Sequence, residues 1–392
     1  MISISLGQGD KAKAERVLGN GLCLNLAIST SVAVLGMVFL DPLLRLSGAS
    51  AEILPFARSF TLVILLGTPF ATISMGLNGF IRSEGNPKVA MATQLIGPLL
   101  NTILCPFFIF VLKLGVAGSA LANVISQAVG SAWVLNYYIS GKSVLKLRAA
   151  NFRPRLDIAL PILAIGSAPA LSDLAAAIMN GVMNNQLVRY GGDIAVTAMG
   201  IVFALSNLVF LTLIGTSMGV QPIVGYNIGA RLYGRVREIE LAAIGAATVF
   251  TTICFAGVQL FPAAFVSAFA GSSPELLGIG TYALRHYFLL LPLTGLQVLG
   301  AGYFQAAGKP AKSLFLGLSR QFIFLIPLLF ILPAIWGLEG VWNAQPLADL
   351  LSFAITGAFL AREMRALSKL EKAAPAVLVP SSFLRSRRTK SR

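Results

Sequence analysis

Three observations in the sequence predict an all-α integral membrane protein. Hydrophobic residues make up 56% of the 392-residue chain and charged residues only 11%, whereas a soluble domain carries about 25% charged residues. The mean hydropathy is +0.80. Apolar runs of the length that crosses a hydrocarbon core, about 20 residues, follow one another along the chain. These runs are too long and too evenly apolar for the alternating pattern of a membrane β-barrel.

Ten of the apolar runs are long enough to be membrane-spanning helices. Short polar gaps separate them, and their ends are defined to within several residues. The segments fall near residues 17–40, 55–80, 89–112, 116–139, 158–187, 194–225, 239–269, 281–306, 311–335 and 340–361.

Lysine and arginine residues are distributed unequally between the two sets of gaps. Twenty-four lie before the first run, in alternate gaps and in the C-terminal tail, whereas five lie in the opposite gaps and Arg320 lies inside a run. Because basic residues are retained on the cytoplasmic side, both termini are predicted to be cytoplasmic. The net charge of +15 therefore indicates membrane orientation, and no nucleic-acid partner is expected.

The residues that usually carry enzymatic or metal chemistry are sparse. Cys23, Cys105 and Cys254 lie within apolar runs, so free thiols are expected and not a disulfide framework. The sequence has no phosphate-binding loop, no metal-spaced cluster of cysteine and histidine, and one histidine, His286. We therefore predict a protein that is not an enzyme and has neither a cofactor nor a metal site.

The chain also contains an internal repeat, a common feature of transporters. A shift of 223 residues superposes Pro69, Gly79, Gly85 and Pro87 on Pro292, Gly302, Gly308 and Pro310. The second copy begins near residue 158 and has six helices, so the first copy is predicted to lack its first two. A start codon placed too late, or a real truncation, would each produce this pattern.

Several short motifs resemble those of one transporter family. They are 82–87 (RSEGNP), 101–110 (NTILCPFFIF), 115–120 (GVAGSA), 221–230 (QPIVGYNIGA) and 305–310 (QAAGKP). Together they resemble the multidrug and toxic compound extrusion (MATE) family, within the superfamily of drug, oligosaccharide and polysaccharide exporters, over about residues 3–366. The resemblance implies two six-helix lobes around a central cavity, and outward export driven by a sodium or proton gradient.

The predicted fold is therefore a MATE-type, two-lobe, pseudo-twofold 6+6 bundle in which ten helices are present. Residues 1–141 would form an incomplete N-terminal lobe, 142–157 a cytoplasmic inter-lobe loop, 158–368 the C-terminal lobe and 369–392 a basic cytoplasmic tail. We expect a multi-pass monomer in the bacterial inner membrane, in contact with the lipid bilayer.

Two acids, Asp173 and Asp349, lie within apolar runs, where an isolated charge is costly and usually marks function. Asp173 shares one helical face with Asn180 and Asn184, and a carboxylate removed from water there could exchange a proton. For both acids, ion or substrate contact and a structural hydrogen-bonded role remain alternatives.

The resemblance also implies an ion site in the first lobe, which includes an Asn-x-x-x-Asp pair. Asn101 matches the Asn, but Cys105 stands at the Asp position. A thiol is a poor ligand for a hard cation, so we do not expect this lobe to couple ions in the family's way. Gln305 is predicted either to line the cavity or to hydrogen-bond a neighbouring helix.

The predicted function is a cation-coupled antiporter, using H⁺ or Na⁺, that exports amphipathic and often cationic organic compounds by alternating access. Two alternatives remain: a lipid-linked oligosaccharide flippase of the same superfamily, and a truncated membrane protein that does not transport. The candidate substrate- or ion-binding residues are Asn101, Asp173, Asn180, Asn184, Gln305 and Asp349.

Overall fold

The computed structural model describes residues 1–46, 50–270 and 273–373. Every regular element within these ranges is helical, as predicted. The helices are α1 (Ile2–Gly7), α2 (Lys11–Val38), α3 (Leu40–Leu46), α4 (Leu54–Ser83), α5 (Pro87–Pro106), α6 (Gly115–Ile139), α7 (Leu156–Gly229), α8 (Tyr233–Leu260), α9 (Pro262–Ala270), α10 (Pro274–Tyr287), α11 (Leu291–Ala306), α12 (Pro310–Leu318), α13 (Ile326–Trp336) and α14 (Leu338–Ala373). Most of the predicted basic tail, from residue 374 onward, lies outside the described residues.

Most of the described helices have the length and composition of membrane spans. Seven helical stretches are long and apolar enough to cross a membrane, and the bent pair α10–α11 makes an eighth. The 74-residue α7 contains two predicted spans, since Gly192 interrupts it with a φ of 65°. The 25-residue α6 is about 37 Å long and coincides with the remaining predicted segment, residues 116–139. Each of the ten predicted segments therefore coincides with a helix or with closely joined helices.

The sequence repeat recurs as local backbone geometry. Gly85 follows α4 with a φ of 89° and Gly308 follows α11 with a φ of 70°, a left-handed conformation that glycine adopts without steric cost. The next helices, α5 and α12, begin with Pro87 and Pro310. Proline is favoured there because the first helical N–H has no partner within the helix. The two copies therefore share one helix–turn–helix junction.

This junction also carries one side-chain hydrogen bond in each copy. Asn78 Nδ2 on α4 donates to the carbonyl oxygen of Ala90 on α5 at 2.6 Å. In the second copy Ser313 Oγ on α12 donates to the carbonyl oxygen of Ala301 on α11 at 3.0 Å. The shift of 223 residues relates both pairs of positions, although the donor has moved to the other helix. The bond satisfies a polar group where the two helices cross, as buried positions require.

Buried apolar side chains form three clusters. The largest joins α7, α10, α11, α13 and α14 and includes Phe288, Leu329 and Trp342. A second joins α2, α4 and α6 around Leu18 and Ile81. The third lies where α8, α11, α12 and α14 meet. Many other large apolar side chains are exposed, as is expected of a surface that faces lipid.

The short helix α1 crosses the end of α7 in close backbone contact. A Cβ atom on Gly7 would collide with the carbonyl oxygen of Tyr226, and one on Gly229 would collide with the carbonyl oxygen of Ile4. Small residues at such positions let helix backbones approach closely in membrane proteins. Under the repeat, residues 1–7 correspond to 224–230, so corresponding segments of the two copies cross each other here.

Candidate functional site

A cavity of about 360 Å³ lies beside the crossing of α1 and α7. This volume is in the range of sites that hold small organic molecules. The ends of α4 and α11, for which the lysine and arginine pattern predicts a cytoplasmic location, contribute to its wall together with α7. Its lining combines apolar and polar side chains, among them Met75, Phe80, Arg82, Met218, Gln221 and Gln305.

Gln305 occupies the cavity wall and also bonds a neighbouring helix. Gln221 Nε2 on α7 donates to Gln305 Oε1 on α11 at 3.3 Å and lies 3.4 Å from Ser217 Oγ. The two amides are half-buried. They give the cavity neutral donors and acceptors, which orient a bound molecule without attracting one sign of charge.

Arg82 lines the cavity. From the sequence it was counted among the basic residues that predict membrane orientation, and it was not identified as a site residue. It corresponds to Gln305 under the shift of 223 residues. It is half-buried, and within the described part of the chain it has neither an ion-pair partner nor a side-chain hydrogen bond. Among the described lining residues it is the one charged side chain. The cavity wall is therefore basic on the side of the first copy and neutral on the side of the second.

Asp173, Asn180 and Asn184 lie along the first part of α7, as their spacing predicts, and all three are exposed. Neighbouring positions such as Leu174 and Ile178 are exposed as well. No described residue gives the three polar side chains a hydrogen bond or an ion pair, and none of the three lies in the cavity wall. The structure thus places Asp173, Asn180 and Asn184 on one face of α7. This face does not include the cavity wall that contains Gln305.

Asn101 is half-buried on α5 and lies away from the cavity wall. One turn further on, Cys105 Sγ lies 3.6 Å from Ser119 Oγ. Three or more histidine, cysteine or acidic side chains that could hold a metal do not come together anywhere in the described residues.

Asp349 lies within the largest core cluster and is 3% exposed. Arg320 Nε lies 2.8 Å from Asp349 Oδ1, and Gln345 Nε2 lies 3.2 Å from both carboxylate oxygens. The guanidinium of Arg320 also stacks over the ring of Phe210, 5.0 Å from its centroid. A buried carboxylate with these partners has its charge compensated, which favours the structural role. Sequence reasoning did not identify Arg320 as the partner, because the two residues lie on different helices.

Two further buried acids lie near the ends of α8 and α14. Glu363 pairs with Lys309 and, at 3.4 Å, with Lys312. Glu240 is 1% exposed, and its Oε1 has no hydrogen-bond partner among the described residues. Both acids lie beside other charged residues in the sequence, so their segments resemble the solvated ends of helices. Only the packing of α8 against α7, α11 and α14 reveals the burial of Glu240.

The sequence is similar to that of known multidrug exporters. The MatE family profile matches residues 1–107 and 170–331. The multidrug export protein MepA of Staphylococcus haemolyticus (strain JCSC1435) is 27% identical over 329 residues, which are 84% of this chain and 72% of that protein. MepA of Staphylococcus aureus (strain NCTC 8325 / PS 47) is 28% identical over the same shares.

The fold is similar to that of solved MATE structures. A crystal structure of MATE in the bent conformation superposes with a TM-score of 0.89 at 25% identity, covering 94% of this chain and 82% of that one. A MOP superfamily transporter from Pyrococcus furiosus Vc1 (DSM3638) gives a TM-score of 0.87 at 26% identity with the same coverage. Since the family profile spans more than half of the sequence and the helical architecture agrees, the chain belongs to the MatE family of membrane transporters.

Proposed function

We propose that this protein exports small organic compounds from the cytoplasm by alternating access, with a gradient of H⁺ or Na⁺ as the driving force. The observation that carries the proposal is the cavity between the two repeat-related halves, at the crossing of α1 and α7. In transporters built from repeats, the substrate binds where the repeats meet, and one half rocks against the other. Relatives at 27–28% identity are named multidrug export proteins.

The chemistry of the cavity supports amphipathic substrates of varied shape. Met75 and Met218 line it, and methionine adapts its flexible, polarizable side chain to irregular apolar surfaces. The ring of Phe80 adds an aromatic surface, which favours flat and cationic compounds through cation–π contact. The amides of Gln221 and Gln305 supply the polar contacts. A wall of this kind accepts many compounds that share amphipathic character and does not select one compound.

The exposed polar face of α7 is proposed as a second contact region for substrate or ion. Asp173, Asn180 and Asn184 present one carboxylate and two amides on it. Asn101 is proposed as a further polar contact from the first half. We propose that both termini lie in the cytoplasm, because the basic gaps adjoin the cavity end of the helices.

The test is transport by purified protein in liposomes, with ethidium as the flat aromatic cation. We expect uptake of ethidium that requires an outwardly directed gradient of H⁺ or Na⁺, because the cation leaves the liposome as ethidium enters, and that stops when an ionophore removes the gradient. The variant Asp173→Asn should slow uptake at unchanged protein content, whereas Asp193→Asn, on the same helix but outside the apolar face, serves as the matched control. Absence of uptake under both gradients by protein that is folded and monodisperse would contradict the proposal and favour a protein that does not transport.

One observation favours the flippase alternative. Arg82 is basic and has no partner among the described residues, and an arginine in a cavity is well suited to the oxygens of a phosphate group. Movement of a fluorescent lipid diphosphate between leaflets, together with failure to transport ethidium, would replace drug export by lipid-linked glycan transport.

A further inference from the structure

Within the part of the chain that the structure describes, Glu240 is a buried carboxylate without a counter-charge. It lies in the third turn of α8 and is 1% exposed, and its Oε1 has no hydrogen-bond partner in the described residues. Isolated ionised groups are not tolerated in such surroundings, and they are neutralised by a proton or a cation. Inside a membrane protein, an ionisable side chain in this position usually marks function. The surroundings of Glu240 decide between the two neutralising species.

A narrow void adjoins Glu240. Tyr303, Ser217 and Gln221 line it together with the carboxylate, and it has no room for a water molecule. The hydroxyl of Tyr303 is also buried without a hydrogen-bond partner among the described residues. A hard cation needs several oxygen ligands around it, and Glu240 is the one carboxylate that lines this void. A proton needs no such space and no further ligands.

The void connects two polar regions. On one side, Gln221 lines both the void and the cavity, where it bonds Gln305. On the other side, Tyr303 packs in the third apolar cluster with Leu360 and Leu367 of α14. The same helix carries Glu363, whose carboxylate pairs with lysines at the start of α12. Glu240 therefore lies between the cavity and a charged cluster at the predicted cytoplasmic surface.

The groups around this end of α8 leave Glu240 as the uncompensated charge. The charged neighbours on α8 itself, Arg235, Arg237 and Glu238, are exposed. Helix α7 contributes Ser217 and Gln221, which do not titrate, and α10 contacts α8 near Gln259 at its opposite end. The remaining titratable or charged groups that face this end are Tyr303 on α11, Lys309 and Lys312 at the start of α12, and Glu363 and Glu371 on α14.

We infer that Glu240 is a proton-binding site, and that its proton passes to water that enters from the cavity past Ser217 and Gln221 when the two halves move. If the export function proposed above holds, on which this last step rests, the exchange couples substrate movement to a proton gradient. The first copy has no acid at the corresponding position, since the repeat places Val17 there. The buried acid near that position, Glu15, is paired instead with Arg148 at 2.9 Å. The repeat therefore does not supply a second copy of this site.

Infrared difference spectroscopy of the purified protein tests the protonation itself. We expect a carboxylic-acid C=O band that is lost as the pH is raised and that is missing from the variant Glu240→Gln. The matched control Glu238→Gln, two residues away on the same helix and exposed, should keep the band. A wild-type spectrum without the band, or a band that survives in Glu240→Gln, overturns the inference.

A second measurement covers the case in which Glu240→Gln does not fold. An apolar carbodiimide modifies protonated buried carboxyl groups, so in the wild-type protein peptide mass spectrometry should find Glu240 labelled at low pH and unlabelled at high pH. Labelling that does not change with pH contradicts proton exchange.

Transport in liposomes separates this inference from the proposed function. If wild-type protein moves ethidium with a pH gradient, Glu240→Gln should lose that dependence, while Glu238→Gln keeps it. Equal pH-driven transport by wild type and Glu240→Gln would overturn the coupling role of Glu240 and leave export intact. Absence of any transport by the wild type would contradict export, whereas the infrared and labelling results would still decide whether Glu240 exchanges a proton.

Discussion

The two halves of the molecule share their turns but differ in their buried charges. Both copies place a glycine with positive φ and a proline at the same junction, at Gly85 and Pro87 and again at Gly308 and Pro310. Among the described residues, the buried acid of the first half is Glu15, and its partner Arg148 is exposed. The second half buries Asp349 with Arg320, and Glu240 has no ion-pair partner in the described chain. The repeat therefore preserves the path of the backbone, while most of the buried acids lie in one copy.

The cavity shows the same division at a single pair of positions. Arg82 and Gln305 are related by the repeat and both lie in the cavity wall. One is a cation without a partner in the described chain, and the other is held by the amide of Gln221 at 3.3 Å. Related positions thus give the two sides of one cavity different charge, which a strictly symmetric pair of lobes would not do.

The largest expected effect on stability distinguishes the two ion pairs that contain a buried acid, Asp349 with Arg320 and Glu15 with Arg148. Arg320→Leu leaves the carboxylate of Asp349 buried without its cation and should destabilise the protein by about 3–5 kcal/mol. Arg148→Leu should cost less, because the Arg148 side chain is 65% exposed and the backbone N–H of Lys146 still donates to Glu15 Oε1 at 3.3 Å. Thermal unfolding of the purified variants in detergent measures both.

The double variant Arg320→Leu/Asp349→Leu provides the control for that measurement. Removing both charges should recover most of the lost stability, because an apolar pair of similar volume replaces a buried ion pair at little cost. If the double variant is no more stable than Arg320→Leu, the loss comes from packing and not from the unpaired charge.

A second prediction tests the crossing at which the two copies meet. Gly229→Val places a side chain against the backbone of Ile4, which cannot move aside without shifting α1. We expect a loss of about 1–3 kcal/mol, measured as a lower midpoint of thermal unfolding.

Gly219→Ala is the matched control for this substitution, since a Cβ at Gly219 meets no atom within 4 Å. It should leave stability unchanged or raise it slightly, because alanine favours the helix more than glycine does. Equal midpoints for Gly229→Val and wild type would contradict the close crossing of α1 and α7.

The smallest effect concerns the charge difference within the cavity. Arg82→Gln makes the first half resemble the second and removes a positive charge from the wall. Binding of ethidium should strengthen several-fold, because repulsion between like charges is lost. Fluorescence titration of the purified protein measures this affinity, and Lys88→Gln, outside the cavity wall, should leave it unchanged. A weaker affinity in Arg82→Gln would mean that the arginine contacts the ligand favourably.

The sequence allowed the helices and the turns to be predicted, because both depend on local properties. Membrane spans follow from apolar length, and the junctions at Gly85 and Gly308 follow from a conformation that few other residues adopt. The predicted family is confirmed by the match to the family profile, and the predicted all-α fold by the similarity to solved structures. The lobe boundaries, the orientation and the choice of coupling ion stay predictions.

The site was harder to predict, since it depends on which helix faces meet. Asp173 was identified from its apolar surroundings, yet the described chain leaves it exposed. Glu240 was missed, because Arg235, Arg237 and Glu238 precede it and make the segment look solvated. Hydropathy shows that a residue belongs to a span but does not show which neighbour covers it, so Arg320 could not be assigned to Asp349 either.

The interruption at Gly192 has a consequence for experiments that map the membrane topology of the chain. The φ of 65° and ψ of −166° at this residue belong to a region that is essentially restricted to glycine. Two consecutive spans are therefore joined by one residue that tolerates no side chain, and almost no chain is left between them. An epitope tag or protease site inserted at this position would separate two helices that a single residue joins, so topology reporters belong in another connection.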